Sequence, residues 1–323
     1  MRVPVTLLCA ALAASTASCS VRSLAVSALA DAMAGSGSGM ASDDDPELIR
    51  DAAPFGLKTM EALLESSPRN AGLLLALASG FTQYANAFVE TEALDLRWAD
   101  PDAHARELER ARRMYIRARD YGLRGLELSR PGVLRLLRTS PDSAVVAFGR
   151  SSVPLLYWTG AAWGAAIAVG LDDPDLVADF PAVRALIGRA LSLDPGYENG
   201  ALHEAMLSVE SVPDLMGGSE ERARQHFERA VELSGGAKAS PYVSLAGGLS
   251  VGRQDRREFE ALLETALAID PDAVPSIRLA NLIAQRRARI LLSHADYLFV
   301  GEEFDPVEPV QPDTVPPEVQ EVR

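Results

Sequence analysis

The sequence predicts an all-α protein, an array of helical hairpins forming one large domain over residues 43–300. Between those limits no alternating strand pattern occurs, and Ala, Leu, Arg and Glu recur at helical spacing. Helix starts are punctuated by a capping residue followed by proline, at Asp45-Pro46, Asp100-Pro101, Ser140-Pro141, Asp173-Pro174 and Ser240-Pro241. The side-chain oxygen accepts from first-turn amides, and proline lacks the N–H that would go unpaired there. A packing pattern also repeats. A small or apolar residue, a large one four positions on and an Ala three further occur at Ala111-Tyr115-Ala118, Val183-Ile187-Ala190, Ala223-Phe227-Ala230 and Phe259-Leu263-Ala266.

The starts of these units are 72, 40 and 36 residues apart. Those intervals suit helix-turn-helix units near the tetratricopeptide length, with one degenerate unit inside the longest. Pro195 and Pro271 end two of the helices, and Gly247 fits the same frame. Small residues let paired helices approach, and the large residue plugs the gap between neighbouring pairs. Cryptic tetratricopeptide-like repeats are therefore expected.

Outside the array, residues 1–18 read as an export signal. Arg2 supplies positive charge, residues 3–14 are mostly apolar, and Ser15-Thr16-Ala17-Ser18 is a small-residue stretch. The run is too short to span a bilayer stably. Cys19 follows and is the expected lipidation site, with Thr16 where such sites usually carry Leu. A lipid there anchors a chain without spanning the bilayer. Cys9 leaves with the signal, so no internal disulfide is expected and stability must come from an apolar core. Residues 19–42 are the expected lipid-anchored segment and linker, with a Ser-Gly-Ser-Gly joint at 36–39. Residues 301–323 hold seven acids, one Arg and five Pro, so they are expected to form an acidic disordered tail.

The net charge of −14 argues against nucleic acid as a partner. Seven Arg between 106 and 124 are balanced by Glu107 and Glu109 and read as a solvated helix face. Enzyme signatures fail in turn. His203-Glu204 begins a zinc-protease string, but Leu207 stands where the second His belongs. His104, His226 and His294 have no ligand spacing and read as surface or capping residues. Gly247-Gly248 reads as a turn between helices, and Asp43-Asp44-Asp45 as a helix start rather than a calcium loop. A binding protein without catalytic residues, metal or cofactor is expected.

Two stretches stand out. Residues 153–171 contain no charge, which meets the length rule for a membrane span. Arg135, Arg138 and Arg150 precede them and Asp172, Asp173, Asp175 and Asp179 follow. The positive-inside rule would put the preceding half in the cytoplasm, yet the signal exports it, so a packed central helix is expected. Residues 71–89 are apolar, with Phe81, Tyr84 and Phe88 on one helical face. These aromatics pack a core or, with Tyr157, Trp158 and Trp163, line an internal apolar channel.

Several blocks carry a resemblance. They are CSVRSLAVSALADAM, DDDPELIRDAAPFGLKTMEALLESSP, the F-x2-YA-x-AFV of 81–89, the YWTGAAWG of 157–164, GALHEAML, GGSEERARQHFERA, LANLIAQRRARILL and DYLF. In this order they resemble the T component of tripartite ATP-independent periplasmic (TRAP) transporters, from about Cys19 to Phe299. The resemblance implies a periplasm-facing lipoprotein; separately, Ser20 after Cys19, in place of the Asp associated with inner-membrane retention, favours the outer membrane. It also implies a homo-trimer with a channel through each protomer and association with the solute-binding P component. A small hydrophobic or organic-acid ligand is implied as the channel's occupant. The residues alone leave a second function open: an envelope assembly adaptor that uses the repeat surface for protein partners only.

Overall fold

The computed structural model describes residues 37–300; the signal segment, Cys19 and the acidic tail lie outside the described residues. Among the described residues there is no strand. Helix α1 (Pro46–Ser66) is followed by α2 (Ala71–Leu96), α3 (Pro101–Ser129) and, after the short helices Val133–Thr139 and Pro141–Val145, by α4 (Val153–Ala168). Then come α5 (Phe180–Leu193), α6 (Ala201–Glu210), α7 (Glu220–Leu233), α8 (Ser240–Leu245), α9 (Arg256–Ala268) and α10 (Arg278–Ser293). The protein is all-α and folds as one helical domain.

The capping pairs set several of these starts. Asp45 accepts from the amides of Glu47 and Leu48, Asp100 from Ala103, and Asp173 from Asp175 and Leu176. Ser140 precedes a helix without a side-chain cap, and Ser240 is itself the first helical residue. The Ser240 hydroxyl is drawn off to Glu204, 3.0 Å away, so it does not cap. The Ser-Gly stretch expected as a joint contributes to a helical turn at Gly37–Ala41.

The uncharged helix α4 packs against α2, α3 and α5. It is a core helix because every side finds an apolar neighbour, with Val153, Leu156, Ala162, Trp163, Ala166 and Ile167 all buried. Close approach to α5 depends on Gly160. A Cβ there would stand 2.6 Å from Ile187 Cδ1 and 2.9 Å from its Cγ1. Gly160→Ala should therefore lower stability by about 1–3 kcal/mol, read from the urea midpoint. The helix Ala71–Leu96 is long and apolar enough to cross a membrane by length and composition. Leu73, Leu74, Leu77 and Ala78 are fully enclosed on it, as in a core helix.

The repeated large residues are packing centres. Tyr115, Ile187, Leu263 and Phe259 are buried with the small residues that flank them, and Phe227 is partly buried. Two stretches depart from regular helix. Residues Ala85–Glu90 form a π turn inside α2, and Ala246–Ser250 form another after α8. Gly247-Gly248, expected as a turn between helices, lies within the second. A π turn adds a residue to the ladder without breaking it, and here Ser250 Oγ donates to Glu258 Oε2 at 2.7 Å.

Helix α10 returns to the start of the domain. Arg286 pairs with Glu47 at 3.1 Å, Arg278 donates to the Ser42 carbonyl at 3.0 Å, and Arg287 pairs with Glu90 at 2.8 Å. On α9, hydrogen bonds from Arg224 outweigh burial and hold the Glu258 carboxyl below the usual range. Its folded pKa is depressed, so its stabilisation is present above the unfolded value and fades as pH falls through the folded one. Urea midpoints taken down the pH scale should drop below about pH 4, and Arg224→Met should flatten that drop.

Candidate functional site

The six aromatic residues expected to line a channel fall into separate groups. Phe81, Tyr84 and Phe88 are buried in the main core. Phe81 stacks on Tyr121 with centroids 6.2 Å apart, and Tyr84 lies 5.4 Å from Phe88. Phe88 belongs to the π turn, so the regular spacing read from the sequence slips there while burial of the ring survives. Trp163 is also buried, with the Arg119 guanidinium 5.4 Å from its ring centroid. Its indole N–H makes no hydrogen bond.

Above Tyr121 an open cleft of about 430 Å3 is lined by Lys58, Glu61, Leu64, Glu65, Pro68 and Arg124, among others. Glu61 accepts from the Tyr121 hydroxyl at 2.7 Å. Burial works against its charge, but hydrogen bonds from Lys58 and Tyr121 prevail and hold the carboxyl below the usual range. The Phe81–Tyr121 stack thus lies at the edge of a polar surface cleft.

Tyr157 and Trp158 belong to a second place. Their rings are 4.7 Å apart, and Tyr157 lies 5.5 Å from Tyr197 on the turn between α5 and α6. All three are only partly buried. Among the described residues no ring contact joins them to Phe81, Tyr84 or Phe88. Around them stand Glu198, Glu204 of α6, and Lys238 just before α8. Lys238 Nζ donates to the Glu198 carbonyl at 2.6 Å.

Burial pushes the Tyr157 hydroxyl well above its ordinary pKa, and the negative charges of Glu204 and Glu198 add to it. Burial raises the Glu204 carboxyl, against Lys238 and Ser240. Burial lowers the Lys238 ammonium, against Glu204 and Glu198. Tyr157, Glu204 and Lys238 are enclosed by protein yet keep solvent contact. The Lys238–Glu198 and Ser240–Glu204 hydrogen bonds and the Tyr157–Tyr197 contact draw these partly exposed groups into one place, the recess.

The recess is held by costly backbone. Glu198 and Asn199 have φ of 43° and 51°, left-handed values for side-chain-bearing residues. Strain of about 1–3 kcal/mol at such a residue persists only where the surroundings fix it, and it clusters at functional sites. Gly200 follows at φ 94°, and a Cβ on it would stand 3.0 Å from Ala230 Cα. Gly200→Ala should lose more than about 1 kcal/mol and loosen the recess, visible as altered Trp158 emission. On the other wall, buried Asn281 donates to the Ala237 carbonyl at 2.8 Å and accepts from Ala239 N–H at 2.9 Å, fixing Lys238 between them.

Sequence reasoning singled out Tyr157 and Trp158 for a channel and Glu204 only for an incomplete zinc-protease string, and it did not single out Tyr197 or Lys238. The local signal at Glu198-Asn199-Gly200, a turn after Pro195, was available; the distance from Glu204 to Lys238 along the chain hid the rest. The histidines also differ from expectation. His203 and His226 are half-buried and share a hydrogen bond, Nδ1 to Nδ1 at 2.9 Å, across α6 and α7. Burial, then the neighbouring His226 and Arg229, lower His203 to about 4, so it is neutral at pH 7. His104 donates to the Ala93 carbonyl and His294 stacks on Trp98. Among the described residues no group of three or more His, Cys, Asp or Glu is placed to hold a metal ion. The recess brings together an aromatic wall, one ammonium and one carboxyl.

Comparison with known proteins agrees with the block order. The family model described as TRAP transporter T-component matches residues 42–299. An uncharacterized protein of Treponema pallidum (strain Nichols) is 32% identical over 266 residues, covering 80% of this chain and 81% of the relative. The match takes in every long helix from α1 to α10, and the chain belongs to the TRAP transporter T-component family.

Proposed function

We propose that this accessory component of TRAP transport is a periplasm-facing lipoprotein, anchored through Cys19, that binds the solute-binding P component and holds a small ligand in its interior. The family match over 42–299 carries the reading. Support comes from the aromatic places just described. Phe81 with Tyr121 stands beneath one surface cleft, and Tyr157 with Trp158 lines a recess elsewhere. In this reading the buried Tyr84, Phe88 and Trp163 complete the apolar wall of the channel. The protein assembles as a homo-trimer of tetratricopeptide-like helix pairs in this reading, and the ligand is a hydrophobic or organic-acid molecule.

The buried Phe81, Tyr84 and Phe88 also suit the adaptor reading, in which the core is filled and only the surface binds. Native mass spectrometry distinguishes the two. Under the channel reading the trimer carries a co-purified small molecule; under the adaptor reading it carries none. Pull-down from gently solubilised envelopes tests the transport reading, with recovery of a TRAP solute-binding subunit as the expected result. Repeated failure to recover one under mild detergent would sink that reading and leave the adaptor.

A further inference from the structure

We propose that Lys238 and Glu204 form a head-group subsite for a small zwitterion of the α-amino-acid class, with the Tyr157–Trp158–Tyr197 wall taking an apolar side chain. The inference rests on the reading that the interior holds a ligand, and it names the ligand's chemistry. Lys238 and Glu204 come from different elements and are brought together because Ser240, two residues after Lys238, donates to Glu204 at 3.0 Å, and each feels the other's charge. They nevertheless form no ion pair among the described residues. Among the described residues each has a single hydrogen-bond partner, and both partners are neutral. Lys238 Nζ donates once, to the Glu198 carbonyl, and Glu204 accepts once, from Ser240 Oγ on Oε2. Two of the three ammonium protons and the whole of Oε1 are left for the recess.

Opposite charges enclosed together and left unbridged are unfavourable, because each has lost water without gaining its counter-ion. A molecule bearing both an ammonium and a carboxylate resolves this. Its carboxylate takes the free protons of Lys238, and its ammonium is accepted by Glu204. A plain carboxylate would satisfy Lys238 but face the Glu204 charge, and a plain amine would do the reverse, so both are selected against. Pre-organisation supports the same assignment. Asn281 fixes the backbone on both sides of Lys238, and the left-handed Glu198-Asn199-Gly200 turn presents the carbonyl that aims its ammonium.

The test compares three probes sharing one ring, by calorimetry on the purified chain: L-phenylalanine, 3-phenylpropanoate and 2-phenylethylamine. L-phenylalanine should bind about 10- to 100-fold more tightly than either singly charged probe. Lys238→Met should remove most of that advantage and favour the amine. Glu204→Gln keeps the Ser240 hydrogen bond and should favour the carboxylate. Circular dichroism checks that each variant folds, with Lys238→Gln replacing Lys238→Met if it does not. Equal binding of all three probes, or no binding of L-phenylalanine, overturns the zwitterion assignment. If the solute-binding subunit is still recovered by pull-down, the transport reading stands and only this assignment falls.

Discussion

Replacing Tyr115 by Ala should cost about 3–5 kcal/mol of stability, the largest effect expected of a single substitution in this domain. Tyr115 is fully enclosed on α3, in a cluster that α2 and α4 share. Its ring fills the central position of the first repeated packing unit, and truncation would leave a cavity that helices on several sides cannot close. Its hydroxyl donates to Glu90 in the π turn, and Glu90 also takes Arg287 at 2.8 Å from α10. Tyr115→Phe separates the two contributions. It keeps the ring and removes one hydrogen bond to a charged acceptor, so the loss should fall to about 1–3 kcal/mol. Urea denaturation of both variants checks the pair; a Phe variant as unstable as the Ala variant would mean the hydroxyl, not the packing, dominates.

Glu210→Ala is expected to be the next most damaging. Glu210, 2% exposed, sits at the end of α6 and holds two guanidiniums: Arg184 at 2.5 Å and Arg222 at 2.7 Å. Both arginines also donate to the Gly217 carbonyl, so one carboxylate organises the whole α6–α7 connection. Breaking a fully buried pair typically costs ~3–5 kcal/mol. Here the guanidiniums keep solvent contact and retain Gly217, so the expected loss is about 2–3 kcal/mol. Cleavage by a protease within residues 211–219 should rise before global unfolding. Glu210→Gln should recover part of the stability but leave the connection looser than in the parent chain.

What could be read from the sequence follows the range of the interactions involved. Capping is local, so Asp45, Asp100 and Asp173 were legible as pairs with the following proline. The same dipeptide logic failed at Ser240, because a distant carboxyl at Glu204 competes for its hydroxyl. The burial of α4 was legible because a run of nineteen uncharged positions gains most by packing against other helices. The π turns were not legible: a one-residue insertion into a helical ladder leaves the apolar pattern almost unchanged. The aromatic half of the recess announced itself through composition. Its charged half did not, because Glu204 and Lys238 belong to different helical units and look like ordinary surface residues until the chain closes around them.

The return of α10 onto the first helices has a consequence for how the chain matures. Glu47, Asn86 and Glu90 have nearer partners too, but their longest-range ones are Arg286 and Arg287, roughly two hundred positions later, at sequence separations of 239, 201 and 197. A linear stack of repeats can harden from one end as it is made. In this domain the longest-range pairs of the first helices form only when nearly its last helix is present, and contacts of such separation slow folding. Removing α10 should therefore loosen α1 and α2 at the opposite end of the sequence, and a growing chain must wait for its final segment before either end is secure.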